Sequence, residues 1–255
     1  AAPEETRLFD IVAFFLRHLS DTRISNTDMR DMLIQSVSVL LQYRPFIERF
    51  EESPLARRIL VPTLLRAFPT RFWIQSTSIM LRFWRGRFYA QTATAASDCS
   101  SKTFQMRFRD VAIAPPPAVP DVIESREAAD CAAEDGQLEA FLNAVFDNVN
   151  WTFTDFGVML KELAEDGNTR RVGDQRERKC HIMFELTTNL LRVLELVTLD
   201  AASLFLAKEA SSVVRLKRLV ELIVTVLNGS TVGKSSQVLD RVLGQQRSTL
   251  EALSR

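Results

Sequence analysis

The chain has 255 residues, of which 46% are apolar and 25% are charged, values typical of a globular protein. Its 32 basic and 32 acidic residues cancel, so no net charge attracts nucleic acid or an anionic membrane. Its three cysteines are too few and too scattered for a disulfide framework, and no apolar run approaches the roughly 18 residues of a membrane-spanning helix. We therefore expect a cytoplasmic protein, with the nucleus as a second location, that binds neither nucleic acid nor membrane.

Residues 1–90 predict four or five short helices in series. Pro3, followed by acidic residues, is typical of a helix start, and this helix is expected to end near Ser20. The residues around Asn26 resemble a capping box and predict a second helix that ends near Tyr43. Apolar residues with helical spacing predict the buried sides of the two helices: Leu8, Ile11, Val12, Phe15, Leu16 and Leu19, then Met32, Leu33, Val37, Leu40 and Leu41.

Prolines mark the rest of this first block. Pro45 predicts a short turn, and Ser53 before Pro54 predicts the cap and first turn of another helix. Pro62 lies inside that helix and is expected to kink or split it, because proline has no N–H to donate. A last helix with an aromatic and aliphatic side is predicted after Pro69.

The composition changes between residues 91 and 136. Alanine, serine and proline dominate there, which predicts a linker that contains one short ordered segment, residues 102–113. Two long amphipathic helices are predicted next, between Phe141 and Leu199, and a charged connector at residues 164–179 is expected to join them. Their apolar stripes should pack against each other and against further helices.

Two more helices are predicted after this central pair. One runs from about Ala201 to Asn228 with a candidate break at residues 210–212, and the other runs from about Ser236 to the end. The loop between them ends in Gly-Lys-Ser like a phosphate-binding loop, but Asn228 replaces the first glycine and a helix precedes it, which favours an ordinary loop. The predicted core side of the first helix consists of Leu216, Leu219, Val220, Ile223, Val226 and Leu227.

No strand pattern is sustained, so the predicted fold class is all-α. Serial helical hairpins would form either an armadillo-like stack or an irregular helical bundle. The predicted domains are an N-terminal helical block at 1–90, the linker at 91–136 and a helical bundle at 137–255. We also expect this chain to be a segment of a longer protein.

The sequence predicts no catalytic, cofactor-binding or metal-binding residue. Cys180 and His181 are adjacent, so on a helix their side chains point about 100° apart and do not chelate one ion together. A nucleophilic cysteine would also need an orienting partner, and no pattern singles one out.

Several aromatic and basic residues are candidates for contacts with protein partners. Tryptophan and arginine are enriched at interface hot spots. Core packing also accounts for the tryptophans, charge compensation at a helix end for Arg85 and Arg87, and a solvated connector for Arg170 and Arg171. Some of the basic residues alternate with aromatic ones, a pattern that also suits nucleic acid, but the zero net charge disfavours that interpretation. The candidates are Trp73, Trp84, Arg85, Arg87, Trp151, Arg170 and Arg171.

Two blocks of the sequence resemble a known family. The first is LSDTRISNTDMRDMLIQSVSVLLQYRPFIERFE, continued by LLRAFPTRFWIQSTSIMLRFWRG, and the second is FLNAVFDNVNWTFTDFGVMLKEL, followed by CHIMFELTTNLLRVLEL. In this order they resemble the C-terminal half of the very large SPRY and RING ubiquitin ligases of the Kip ubiquitination-promoting complex and their plant relatives. The second block is more distantly similar to the helical core of ubiquitin chain-elongation factors. The resemblance covers most of residues 10–228.

The resemblance implies a scaffold rather than a catalytic centre. Ubiquitin transfer in that family depends on a RING, which holds two zinc ions through eight Cys and His ligands. This chain has only three Cys and two His, so it cannot form a RING. The implied role is to position a substrate or an accessory subunit relative to a RING outside this chain.

The resemblance also implies the class of partner. The expected partners are a ubiquitin-conjugating enzyme, a ubiquitylation substrate or a subunit with a ubiquitin-like domain. The rival hypothesis is a free-standing armadillo-like adaptor unrelated to ubiquitin.

Overall fold

The computed structural model describes residues 3–19, 21, 23–85, 127–165 and 170–231. All regular secondary structure in these residues is helical, without a strand, so the predicted all-α class is confirmed. None of these described helices is both long and apolar enough to cross a membrane.

Five short helices make up the first part of the chain. They are α1 (Pro3–Leu19), α2 (Thr27–Leu40), α3 (Arg44–Glu52), α4 (Pro54–Ala67) and α5 (Trp73–Arg85). Two predicted caps are confirmed. The Asn26 side-chain oxygen accepts hydrogen bonds from the backbone N–H groups of Asp28 and Met29. The Ser53 hydroxyl accepts one from the N–H of Ala56.

Two proline predictions differ from the structure. Pro45 lies in the first turn of α3 rather than in an isolated turn, since an N–H at that position would have no partner within the helix anyway. Helix α4 continues through Pro62, so of the two predicted effects the split is wrong, and the kink stays a prediction. Leu60 and Leu64 beside it are buried, and their packing outweighs the hydrogen bond that proline removes.

Two long helices follow, α6 (Glu127–Glu165) and α7 (Arg170–Asp200). Helix α6 begins inside the predicted linker, whose expected ordered segment at 102–113 lies outside the described residues. Helix α7 takes in most of the predicted connector, because arginine, glutamine, glutamate and lysine are strong helix formers and the charged run continues as helix.

The last described helices are the short α8 (Ser203–Leu206) and α9 (Ala210–Thr231). The chain bends at residues 207–209, directly before the predicted break. Helix α9 extends to Thr231, so residues 228–231, where the predicted loop begins, are helical. The helix predicted from Ser236 lies outside the described residues.

The chain forms two compact units. Unit 1 consists of Ala1–Val145 with Arg192–Leu204, and unit 2 consists of Phe146–Leu191 with Phe205–Arg255. The sequence predicts domain boundaries at 90 and 136, and this division stays a prediction. Position 90 lies outside the described residues, and position 136 lies within α6.

Aromatic pairs hold the core of unit 1. Phe83 meets Phe50 edge-on with ring centroids 6.1 Å apart, and Phe68 meets Phe141 in the same way at 4.8 Å. All four rings are buried, and edge-to-face pairs of this kind stabilise a core beyond the area they bury.

Unit 2 is built on the pairing of α6 with α7. Phe156 and Leu160 of α6 pack against Cys180 of α7, and the ring of Phe184 lies 5.5 Å from that of Phe156. The predicted packing of the two central helices against each other is therefore confirmed in this unit.

Candidate interaction surfaces

The two tryptophans whose side chains are described lie in different units. Trp73 begins α5 in unit 1 and is half-buried, and its carbonyl oxygen accepts a hydrogen bond from the Thr77 hydroxyl at 2.7 Å. Trp151 lies on α6 in unit 2 and keeps 49% of its surface exposed. Of these two predicted contact residues, Trp151 thus presents the larger surface to a partner.

The other predicted contact residues are described only in part. Trp84 and Arg85 lie in the last turn of α5, and Arg170 and Arg171 lie in the first turn of α7, but the structure describes only their backbone. Arg87 lies outside the described residues. Their role in partner contacts stays a prediction.

Arg82, in the same basic and aromatic stretch, has a structural role. Its Nε donates to the carbonyl oxygen of Leu41 at 2.6 Å, and its Nη2 donates to that of Gln42 at 3.0 Å. These carbonyls follow the end of α2, where a cation stabilises the negative end of the helix dipole. The contact supports the structural interpretation of this stretch over nucleic-acid binding.

A stripe of apolar side chains is exposed along α9. The prediction that Leu216, Val220, Ile223 and Leu227 face the core is wrong, because α9 buries a different side, which includes Leu222. Side chains of the stripe recur every three or four residues and are between 37% and 62% exposed. We call this stripe the α9 face: Val213, Leu216, Val220, Ile223 and Leu227.

Contacts with α6 fix which side of α9 is buried. Arg218 Nη2 donates to the Asp147 carboxylate at 2.9 Å, and the Arg218 guanidinium lies over the Phe146 ring at 5.2 Å. At Gly229 the helix approaches α6 so closely that an added Cβ would lie 2.7 Å from the Phe153 ring. The α9 face lies on another side of the helix from these contacts.

Helix α2 carries a second exposed apolar stripe. The predicted burial of Met32 is wrong, since 63% of its surface is exposed. Met29 and Val39 of the same helix are also exposed. Methionine adapts its shape to different partners, so this stripe suits adaptable contacts.

A cavity of about 150 Å³ lies in unit 1. Arg30 Nε donates to the carbonyl oxygen of Ile24 at 2.7 Å, which holds its guanidinium in place at the cavity. Arg66 Nη2 lies 3.2 Å from the side-chain oxygen of Gln137 when that amide turns its oxygen toward the guanidinium. No sequence motif joins these residues, so only the fold reveals the pair. The lining residues that matter below are Arg30, Leu33, Ile34, Thr63, Arg66 and Phe72.

Two groups of the described chain have strongly shifted pKa values. Hydrogen bonds from Arg23 hold the pKa of the Asp21 carboxyl well below its usual range. Burial raises the pKa of the free thiol of Cys180 to about 11, and the negative charge of Glu177 makes a smaller contribution in the same direction. This thiol is therefore protonated at neutral pH, unlike a reactive cysteine. Among the described residues no cluster of His, Cys, Asp and Glu is arranged to hold a metal ion.

Comparison with known proteins points to ubiquitin ligases. Residues 139–255 match the sequence family described as RNF123-like, TPR repeat. Over 249 residues, or 97% of its length, the chain is 36% identical to the E3 ubiquitin-protein ligase RKP of Arabidopsis thaliana. The chain spans 17% of the length of that ligase. No solved structure matches the chain.

Proposed function

We propose that this chain, a relative of the plant E3 ubiquitin-protein ligase RKP with an RNF123-like TPR repeat region, is a non-catalytic helical scaffold segment of a large ubiquitin ligase. Its role is to position a substrate or an accessory subunit relative to a RING elsewhere in the ligase. The observation that carries the proposal is the similarity to a ubiquitin ligase along almost the whole chain. The proposed place of action is the cytoplasm, with the nucleus as a second location.

The α9 face supports the binding part of this role. Exposed apolar stripes on soluble proteins mark sites where another protein packs, and five apolar side chains in helical register suit an amphipathic helix. A helix of the substrate or accessory subunit is the proposed occupant. The rival function, an adaptor unrelated to ubiquitin, would use the same face for other partners.

Affinity purification from cells, followed by quantitative mass spectrometry, tests the proposal. The intact chain is expected to enrich ubiquitin-conjugating enzymes, ubiquitylated proteins or a subunit with a ubiquitin-like domain. Val220→Glu places a charge on the α9 face and is expected to reduce that enrichment at least tenfold. Thr225→Glu is the matched control, because Thr225 is exposed on the same helix outside the α9 face.

Two results would contradict the proposal. A coherent set of partners without any ubiquitin machinery would favour the adaptor. Discharge of ubiquitin from a charged conjugating enzyme by the purified chain alone would show a catalytic activity that the scaffold role excludes.

A further inference from the structure

Arg30 and Arg66 bring two positive charges to one cavity in unit 1. Arg30 uses Nε for the bond to Ile24, which leaves the N–H groups of both terminal nitrogens to donate elsewhere. Among the described residues, the partner of Arg66 is the neutral amide of Gln137, with the amide oxygen turned toward the guanidinium. Thr63 adds a hydroxyl to the same wall. The cavity thus offers hydrogen-bond donors in excess and no carboxylate of its own among the described lining residues.

Other arginines of unit 1 show that pairing with a carboxylate is common on this surface. The ion pairs are Arg23 with Asp21, Arg44 with Glu48, Arg49 with Glu52, and Arg71 with Asp28. Within the described residues, Arg30 and Arg66 have no such pair. Two unneutralised cations that share a concave site attract an anion, because each of them lowers the electrostatic free energy of a negative charge placed in that site.

Local structural roles explain only part of this arrangement. Arg30 ties the segment before α2 to that helix, and Arg66 lies in the last turn of α4, where a cation complements the helix dipole. Neither role requires the two side chains to line one cavity whose remaining wall includes Leu33, Ile34 and Phe72.

We propose that this cavity binds a carboxylate together with an adjacent apolar side chain from a segment of a protein partner. The guanidinium groups would hold the carboxylate, since arginine donates two parallel hydrogen bonds to its oxygens, and the apolar wall would contact the neighbouring side chain. A cavity of this size accommodates a group about as large as benzene. The choice of a protein partner rests on the proposed function. The recognition of a carboxylate beside an apolar group does not depend on that function.

Arginine side-chain signals in NMR spectra of the purified ¹⁵N-labelled chain test the proposal. The probes are acetyl-Gly-Leu with a free terminal carboxylate, acetyl-Glu-Leu-amide with a side-chain carboxylate, acetyl-Gly-Leu-amide as the uncharged control, and inorganic phosphate. We expect saturable shifts of the Arg30 and Arg66 Nε–H signals with at least one carboxylate peptide. The uncharged peptide should bind at least tenfold more weakly, and comparison of the two carboxylate peptides identifies the source of the carboxylate.

Substitutions assign the binding to the cavity. Arg30→Gln and Arg66→Gln should each weaken peptide binding at least tenfold, whereas Arg17→Gln, an exposed arginine of α1 outside the cavity, should leave it unchanged. Backbone spectra of each variant show whether it is folded. If both variants are folded and both bind the carboxylate peptide with an unchanged Kd, the proposal is overturned.

Three results with the intact chain would also overturn it: no saturation by either carboxylate peptide, equal binding of the uncharged peptide, or a preference for inorganic phosphate. Because the peptide assay contains no ubiquitin machinery, its failure is distinguishable from failure of the proposed scaffold function.

Discussion

Gly157 and Gly229 both lie in helices, but only Gly229 faces a close neighbour. An added Cβ at Gly157 of α6 would meet no atom within 4 Å. At Gly229 of α9 it would lie 2.7 Å from the Cε1 and Cζ atoms of Phe153. Gly157 therefore lowers the stability of its helix without allowing a close contact, whereas Gly229 allows α9 to approach α6.

Replacing each glycine with alanine should separate these two situations. Gly157→Ala is expected to raise the free energy of unfolding by about 0.5–1 kcal/mol, because alanine is the better helix former. Gly229→Ala should lose that gain and destabilise the chain, since its methyl group must displace the Phe153 ring. Urea denaturation followed by circular dichroism measures both.

A second substitution checks the cause of the Gly229→Ala effect. Phe153→Leu shortens the neighbour and should make Gly229→Ala less costly in that background than in the intact chain. Equal gains from the two alanine substitutions in the intact chain would show that α9 is not held close to Phe153.

At the scale of the element, α9 has apolar residues on two sides and buries one of them. Leu222 is 3% exposed and Leu227 is 55% exposed, although both are leucines in the same helix. Leu222→Ala should cost about 2–4 kcal/mol of unfolding free energy, because it leaves a cavity in a packed site. Leu227→Ala should cost less than about 1 kcal/mol.

Thermal and urea unfolding of these two variants would test the orientation of α9. The substitutions are chemically identical, so the difference between their costs reports burial alone. If Leu227→Ala costs as much as Leu222→Ala, α9 buries the α9 face, and that face is not available to a partner.

Most helices could be predicted from the sequence, because their signals are local. The Asn26 and Ser53 caps and the apolar spacing of α6 and α7 each depend on neighbours within a few residues, and the structure confirms them. The continuity of α4 through Pro62 was not predictable in this way, since it depends on burial by distant residues.

The side that a helix buries is also a tertiary property. Periodicity shows that α9 has apolar stripes, but only the fold shows which side of α9 faces α6, where Gly229 lies against the Phe153 ring and Arg218 pairs with Asp147. The cavity with Arg30 and Arg66 is a stronger example, because its parts come from separate helices and carry no shared motif. Similarity to ubiquitin ligases, by contrast, was readable from the sequence because it depends on residue identity along the chain.

At the scale of the whole molecule, proton binding links the buried thiol of Cys180 to global stability. Burial raises its pKa from 9.0 to about 11, so the folded chain keeps the thiol proton over a pH range in which the unfolded chain releases it. The stabilisation from the protonated buried thiol is complete below about pH 9 and is lost as the pH rises toward 11. Unfolding should thus become more favourable across this interval.

Cys180→Ala should flatten that pH dependence. Urea unfolding of the intact chain and of the variant, both under reducing conditions at several values between pH 8 and 11, gives the free energy of unfolding at each pH. Tyrosine, lysine and the other two cysteines ionise in both proteins, so their effects largely cancel in the difference. We expect the intact chain to lose more stability than Cys180→Ala between pH 9 and 11, by on the order of 2 kcal/mol at most, since one pKa unit corresponds to about 1.4 kcal/mol. Parallel curves would mean that the Cys180 thiol ionises as readily in the folded chain as in the unfolded one, and that its position between α6 and α7 does not exclude water.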